Sequence, residues 1–294
     1  MIKPQFLFAF ALAVFSLTSA FLCFSVFIDP YGVSPIQITV NHINRHKPAR
    51  VNIDRLIKPY EVWRYQPKTI FLGTSRTQQG LDPSGLDKTR FAPAYNASIP
   101  ASSIALNVAH LKQYLDLDPA IRAVFMELFF YPFIDENSAG DQTSYPGKAL
   151  LELADNTKNL IFSSDTLRAS IQTITYNLTE SARPQGIAPG GNFHYPPGHN
   201  SKGGFDGFPG GIWNSRHSRE FLLSPKLNED SFNEFREIIR VCREHNIELI
   251  FFLAPNHAYE DYRLEVTGIW PVVEEWLRRV GGMARVYSFS QPNE

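Results

Sequence analysis

Cysteine is scarce in this chain of 294 residues. There are two, which excludes a disulfide scaffold. Cys23 falls in an apolar N-terminal stretch, and Cys242 falls in a helical pattern, where it reads as a core filler. Charge of either sign is also in short supply. Lys and Arg total 28 against 29 Asp and Glu, for a net charge of −1. No basic field favours nucleic acid. No Cys/His spacing suggests a zinc site, and no glycine fingerprint suggests a phosphate cradle. No cofactor or metal is expected, and no internal repeat is visible.

What the chain does have is a long apolar run at its start. Phe6 to Ile28 carries no charged residue and is long enough to cross a bilayer as a helix. A cleaved signal peptide is the rival reading, because Lys3 precedes the run and Thr18-Ser19-Ala20 is small enough for cleavage. Apolar residues continue past Ala20 through Ile28, so an uncleaved anchor is expected. Asp29-Pro30-Tyr31-Gly32 reads as a turn leaving the membrane. Residues 29–67 read as a linker and first helical region. Arg45, Lys47, Arg50, Arg55 and Lys58 are expected mostly as solvated charges, some facing lipid headgroups or an anionic glycan.

The organising stretch is Lys68 to Asp82. Thr69–Leu72 has the length and composition of a buried strand, and it breaks at Gly73 into Thr74, Ser75 and Arg76. A strand that stops at glycine and delivers a hydroxyl suits the start of an open α/β sheet with its site at the strand's carboxyl end. Ser75 is the leading candidate nucleophile. The plain alternative is a turn in which Thr74 or Ser75 caps the next helix.

Further strands are expected at 91–95, 121–130, 247–253 and 284–289. Helices are expected at 101–115, around 150–161 and 166–178, at 229–244 with Asn228 as cap, and from Pro271 to a stop at Gly281-Gly282. Alternating strands and helices predict a mainly parallel, doubly wound sheet covered on both faces. Glu127 is the one charge inside the apolar third strand, expected to be ion-paired or at the strand end. Residues 147–182 read as a helical insertion. Residues 183–214, rich in Gly and Pro, hold His194, Tyr195 and His199, and read as a lid or ligand-contacting loop or as a disordered segment. His257 follows the fourth strand and belongs on the same rim as Ser75, where an imidazole can accept a hydroxyl proton. Asp261 or Glu260 could orient it.

These motifs resemble the SGNH/GDSL hydrolase superfamily. They resemble most its membrane-anchored bacterial branch, related to D-alanyl transfer proteins and alginate O-acetyltransferases. The likeness rests on Asp29-Pro30-Tyr31-Gly32, Phe71-Leu-Gly-Thr-Ser-Arg76, Gly80-Leu-Asp-Pro83, Tyr95-Asn-Ala-Ser98 and Phe252-Leu-Ala-Pro-Asn-His257. It implies a flavodoxin-like three-layer sandwich over 68–294 behind a membrane anchor at 1–28. It also implies a bacterial inner-membrane location with the α/β domain outside the cytoplasm, and serine esterase or O-acyltransferase chemistry on envelope or exported polysaccharide. Ser75 and His257 would be catalytic. Gly73, Arg76, Asn96, His194 and His199 would hold the oxyanion or substrate, with a glycan or an acyl-donor protein as partner. The departures are the second block's glycine, the third block's Asn and the final Asp-x-x-His, none of which appears before Glu294. The domain is therefore expected to be incomplete at its C-terminus, or else degenerate. The alternative function is a non-catalytic binding or scaffold protein of a polysaccharide assembly system.

Overall fold

The computed structural model describes residues 3–34, 36–118, 120–134, 147–179, 186–188, 190–194, 225–256 and 258–289. Two compact units are distinguished. One gathers residues 1–60, 150–187 and 194–196; the other gathers 61–149, 188–193 and 197–294.

The second unit is an α/β fold around one parallel sheet. Its strands are β1 (Thr69–Leu72), β2 (Ala94–Asn96), β3 (Ala123–Leu128), β4 (Glu248–Leu253) and β5 (Val286–Ser288), in spatial order 2-1-3-4-5. Four fall where the apolar runs predict strands, and β2 overlaps its expected run but is shifted toward Asn96. Register is continuous, with Thr69 opposite Ala94 on one side and Ala123 on the other, and Ala123 opposite Glu248. β1 is buried throughout and β3 nearly so, as continuous apolar runs require of central parallel strands, and β2 at the sheet's near edge is buried as well. Cover thins toward the far edge: β5 is half-buried to exposed, and Tyr287 stands 45% exposed. The expectation that every strand is covered on both faces is corrected there.

Helices α3 (Ser75–Gly80), α4 (Ile104–Leu117), α7 (Glu229–Glu244), α8 (Ala258–Val266) and α9 (Trp270–Met283) belong to this unit. α4 and α7 pack together, and Phe235 of α7 meets Phe251 of β4 with ring centroids 4.7 Å apart. Asn228 caps α7 as its position predicts, its Oδ1 accepting from the Asp230 N–H at 2.9 Å. Cys242 is buried in the core, and burial pushes its thiol up to about 12. The expected stop at Gly281-Gly282 is corrected: α9 runs through both glycines to Met283. Glycine costs about 1 kcal/mol per helical position, which the buried residues Val273, Trp276 and Val280 on the same helix outweigh.

The first unit holds α1 (Pro4–Ile28), α5 (Ala149–Phe162), α6 (Ser164–Thr179) and the start of α2 (Asp54–Tyr65). α1 is long and apolar enough to span a membrane, a property that anchors and signal sequences share. Its carboxyl end is closed by a polar collar. Asp29 Oδ1 accepts from the N–H groups of Val33 and Ser34 at 2.8 and 2.9 Å. Lys47 Nζ pairs with Asp29 Oδ2 at 3.2 Å and also donates to the Asp29 carbonyl. A cation there complements the helix dipole. Asn44 donates to the Phe27 carbonyl at 2.8 Å. The His46 backbone is clamped by Asn177 of α6, at 2.8 and 2.7 Å. The reading of this segment's cations as mostly solvated is corrected. Arg50 and Lys58 are buried, and Lys47 is held in the collar; Arg45 and Arg55 are exposed.

Candidate functional site

In the order 2-1-3-4-5 the winding direction reverses between β1 and β3. Ligands of open α/β sheets bind at the carboxyl ends of the strands flanking such a switch point. Two sequence features arrive there: the Gly73-Thr74-Ser75-Arg76 turn after β1, and Glu127 near the end of β3.

Glu127 is 3% exposed and organises the turn. Its Oε2 accepts from the Thr74 N–H at 3.2 Å, Thr74 Oγ1 at 3.0 Å and Thr77 Oγ1 at 2.6 Å. Its Oε1 faces Arg76 Nε at 3.3 Å. Arg76 Nη2 in turn donates to the carbonyls of Ala254 and Pro255, at 2.9 and 3.0 Å, just past β4. The carboxyl ends of β1, β3 and β4 are thus tied by one carboxylate and one guanidinium. The expectation of an ion-paired Glu127 matches this arrangement.

Gly73 is required by close approach. A Cβ there would lie 2.5 Å from Thr77 Oγ1 and 2.9 Å from both Cβ and Oε2 of Glu127. Its carbonyl accepts from Ser102 Oγ at 2.8 Å and the Ile99 N–H at 3.1 Å. Thr74, not Ser75, is the cap of α3: its Oγ1 accepts from the Arg76 N–H at 3.3 Å. Ser75 is the first residue of that helix and is half-buried. No described side chain hydrogen-bonds its hydroxyl.

The other expected site residues divide. Asn96 is fully buried, and its amide donates to the carbonyls of Thr77 and Leu81 at 2.9 Å each. Its Oδ1 accepts from the Ser98 N–H at 3.2 Å. That amide fastens α3 to the sheet. His194 ends the two-residue strand Phe193–His194. His199 and His257 lie outside the described residues, as does Tyr195. Asn256, one residue before His257, donates to Asp261 Oδ1 at 2.9 Å. β3 lies between β1 and β4, so the backbones carrying Ser75 and the end of β4 are about 10 Å apart.

Beside the turn, the ends of β3 and β4 frame a cavity of about 90 Å³ under α8 and α9. Arg76, Phe129, Asn256 and Asp261 meet an apolar wall that includes Trp270 and Trp276. The Arg76 guanidinium sits 4.7 Å from the Phe129 ring centroid. Sequence reasoning missed one cluster here. Tyr131 donates to Glu260, and Arg263 donates to both. Burial first, and the Glu260 carboxylate second, push the Tyr131 hydroxyl well above the usual phenol range, so it stays a neutral donor. Only the three-residue spacing of Glu260 and Arg263 hinted at it. Among the described residues no cluster of three or more His, Cys, Asp or Glu is placed to hold a metal.

Compared with known proteins, the chain matches no family model, no curated protein and no solved structure.

Proposed function

We propose that this is a membrane-anchored, SGNH-like serine esterase or O-acyltransferase with a flavodoxin-like layered domain, acting outside the cytoplasm of a bacterial cell on envelope or exported polysaccharide. What carries the reading is the placement of Ser75. It follows a buried strand at the switch point of a parallel sheet, on a turn held by the buried Glu127 carboxylate and its ion pair with Arg76, with a hydroxyl that no described side chain engages. In this mechanism Ser75 Oγ attacks the acyl carbonyl carbon and its proton passes to a base, for which His257 is the candidate. The oxyanion is held by the Ser75 N–H. The bond to the donor oxygen breaks, and the donor leaves as an alcohol with the proton. The acyl-serine then gives its acyl group to water or a glycan hydroxyl.

A second reading, a non-catalytic binding or scaffold protein, is favoured by two specific observations. The Asn96 amide is fully committed within the fold, and no described imidazole or free carboxylate pairs with Ser75. A fluorophosphonate probe on the full chain in membranes separates the two. The enzyme reading expects labelling that Ser75→Ala abolishes. Unlabelled wild type, folded by circular dichroism, would leave the binding reading.

A further inference from the structure

We propose that α6 lies in the membrane interface beside α1, with its stripe of Leu167, Ile171, Ile174 and Leu178 against lipid. The inference rests on reading α1 as an inserted anchor and concerns the N-terminal unit alone. Three rows divide α6. Thr166, Ala169, Ser170, Thr173 and Asn177 are buried. Arg168, Gln172, Thr175 and Thr179 are exposed and polar. Between those rows run residues 167, 171, 174 and 178, an i, i+4, i+7, i+11 stripe of apolar side chains. Leu167, Ile171 and Leu178 are 42%, 56% and 64% exposed, and Ile174 is half-buried. An exposed apolar row beside an exposed polar row is the pattern of a helix lying at a lipid–water boundary.

Length points to lipid as the occupant. α1 packs against α6. The part of α1 that the unit leaves almost bare, Pro4 to Ala20, is about 25 Å long at 1.5 Å per residue. A hydrocarbon core of about 30 Å needs about 20 residues. Counted from Pro4, the core extends to about Cys23. That lies within the stretch from Phe21 on, where most residues are covered by the unit. The surface flanking those turns therefore sits at membrane depth, and α6 packs against α1. The adjacent polar row begins with Arg168, which suits anionic headgroups.

The test uses the full chain with Cys23→Ser, reconstituted in phosphatidylethanolamine–phosphatidylglycerol vesicles. Cys242 is buried and stays unlabelled. Single cysteines replace Ile171, Leu178, Gln172 or Phe15, each carrying an environment-sensitive fluorophore. Lipid bearing a shallow acyl-chain nitroxide is expected to quench positions 171 and 178 at least ~3-fold more than 172. A mid-bilayer nitroxide is expected to quench position 15. Position 15 quenched, with 171 and 178 open to aqueous iodide as 172 is, overturns the proposal and keeps the anchor. Fluorophore self-quenching at 171 that follows protein density would assign the stripe to a second copy and also overturn it. No quenching at position 15 overturns the anchor reading and the proposal together.

Discussion

Two buried carboxylates, Asp29 and Glu127, do similar chemistry by different routes. Each is at most 5% exposed, and each faces one cation and accepts backbone N–H groups. Asp29 finds its partners four, five and eighteen residues along the chain. It is a local cap, able to form as soon as α1 ends. Glu127 reaches 50 to 53 residues back to Thr77 and Thr74. It is satisfied only when β1 and β3 are paired. The turn that presents Ser75 is therefore assembled by the sheet, while the Asp29 cap under α1 is assembled by its own neighbouring sequence.

Removing each carboxylate tests that difference. Glu127→Ala leaves the Thr74 N–H and two threonine hydroxyls without their buried acceptor and takes away the carboxylate that Arg76 faces. Breaking a buried pair from one side costs about 3–5 kcal/mol, and this is the largest effect expected. Chemical denaturation reads it, and fluorophosphonate labelling of Ser75 should fall with it. Asp29→Ala should cost less, about 1.5–3 kcal/mol, the range for hydrogen bonds to charged groups. Lys47 keeps the Asp29 and Ile28 carbonyls and some contact with water. Hydrogen exchange should rise in residues 25–47 and leave 69–77 unchanged. Equal losses for the two variants, or exchange spreading into β1, would erase the distinction between local and sheet-made clusters.

Gly73→Ala probes the same turn by volume instead of charge. The added methyl meets Thr77 and Glu127 below van der Waals separation. Overpacking of this kind costs about 1–3 kcal/mol. Thermal melting should drop by several degrees while Asp29-dependent exchange stays as it was. An unshifted melting point would mean that Thr77 can rotate away and that Glu127 does not fix the turn.

The contrast also explains what was legible. Strands β1, β3 and β4 are continuous apolar runs, and such runs have few other homes than a parallel sheet. β2 was displaced to 94–96 because Pro93 cannot donate to a ladder. Thr74 and Ser75 are adjacent hydroxyls after one glycine, and only the Arg76 N–H decides which is the cap. Lys47, Arg50 and Lys58 looked like solvent charges because a sequence does not display the surface that folds over them. Residues 150–187 do fall between β3 and β4, yet they gather with the first 60 residues through long-range contacts such as Asn177 with His46. The same holds for Glu127: its isolation in an apolar strand announced a partner, but nothing local named Arg76.

A half-buried carboxylate completes the series and should show the smallest effect. Glu237 of α7 pairs with Lys112 of α4 at 2.7 Å and with Arg240 at 2.7 Å. Arg240 first, and Lys112 after it, hold its carboxyl down at about 2. A depressed carboxylate contributes stability that is fully present above its unfolded value of 4.5 and is lost as pH falls through about 2. All three side chains reach water, so Glu237→Gln should cost under about 1 kcal/mol at neutral pH. The loss should shrink in salt and vanish by about pH 2, where wild type and variant unfold alike. Denaturation midpoints between pH 7 and 2 check this. A Glu237→Gln loss as large as that of Asp29→Ala would mean that burial does not set the ranking of these three carboxylates.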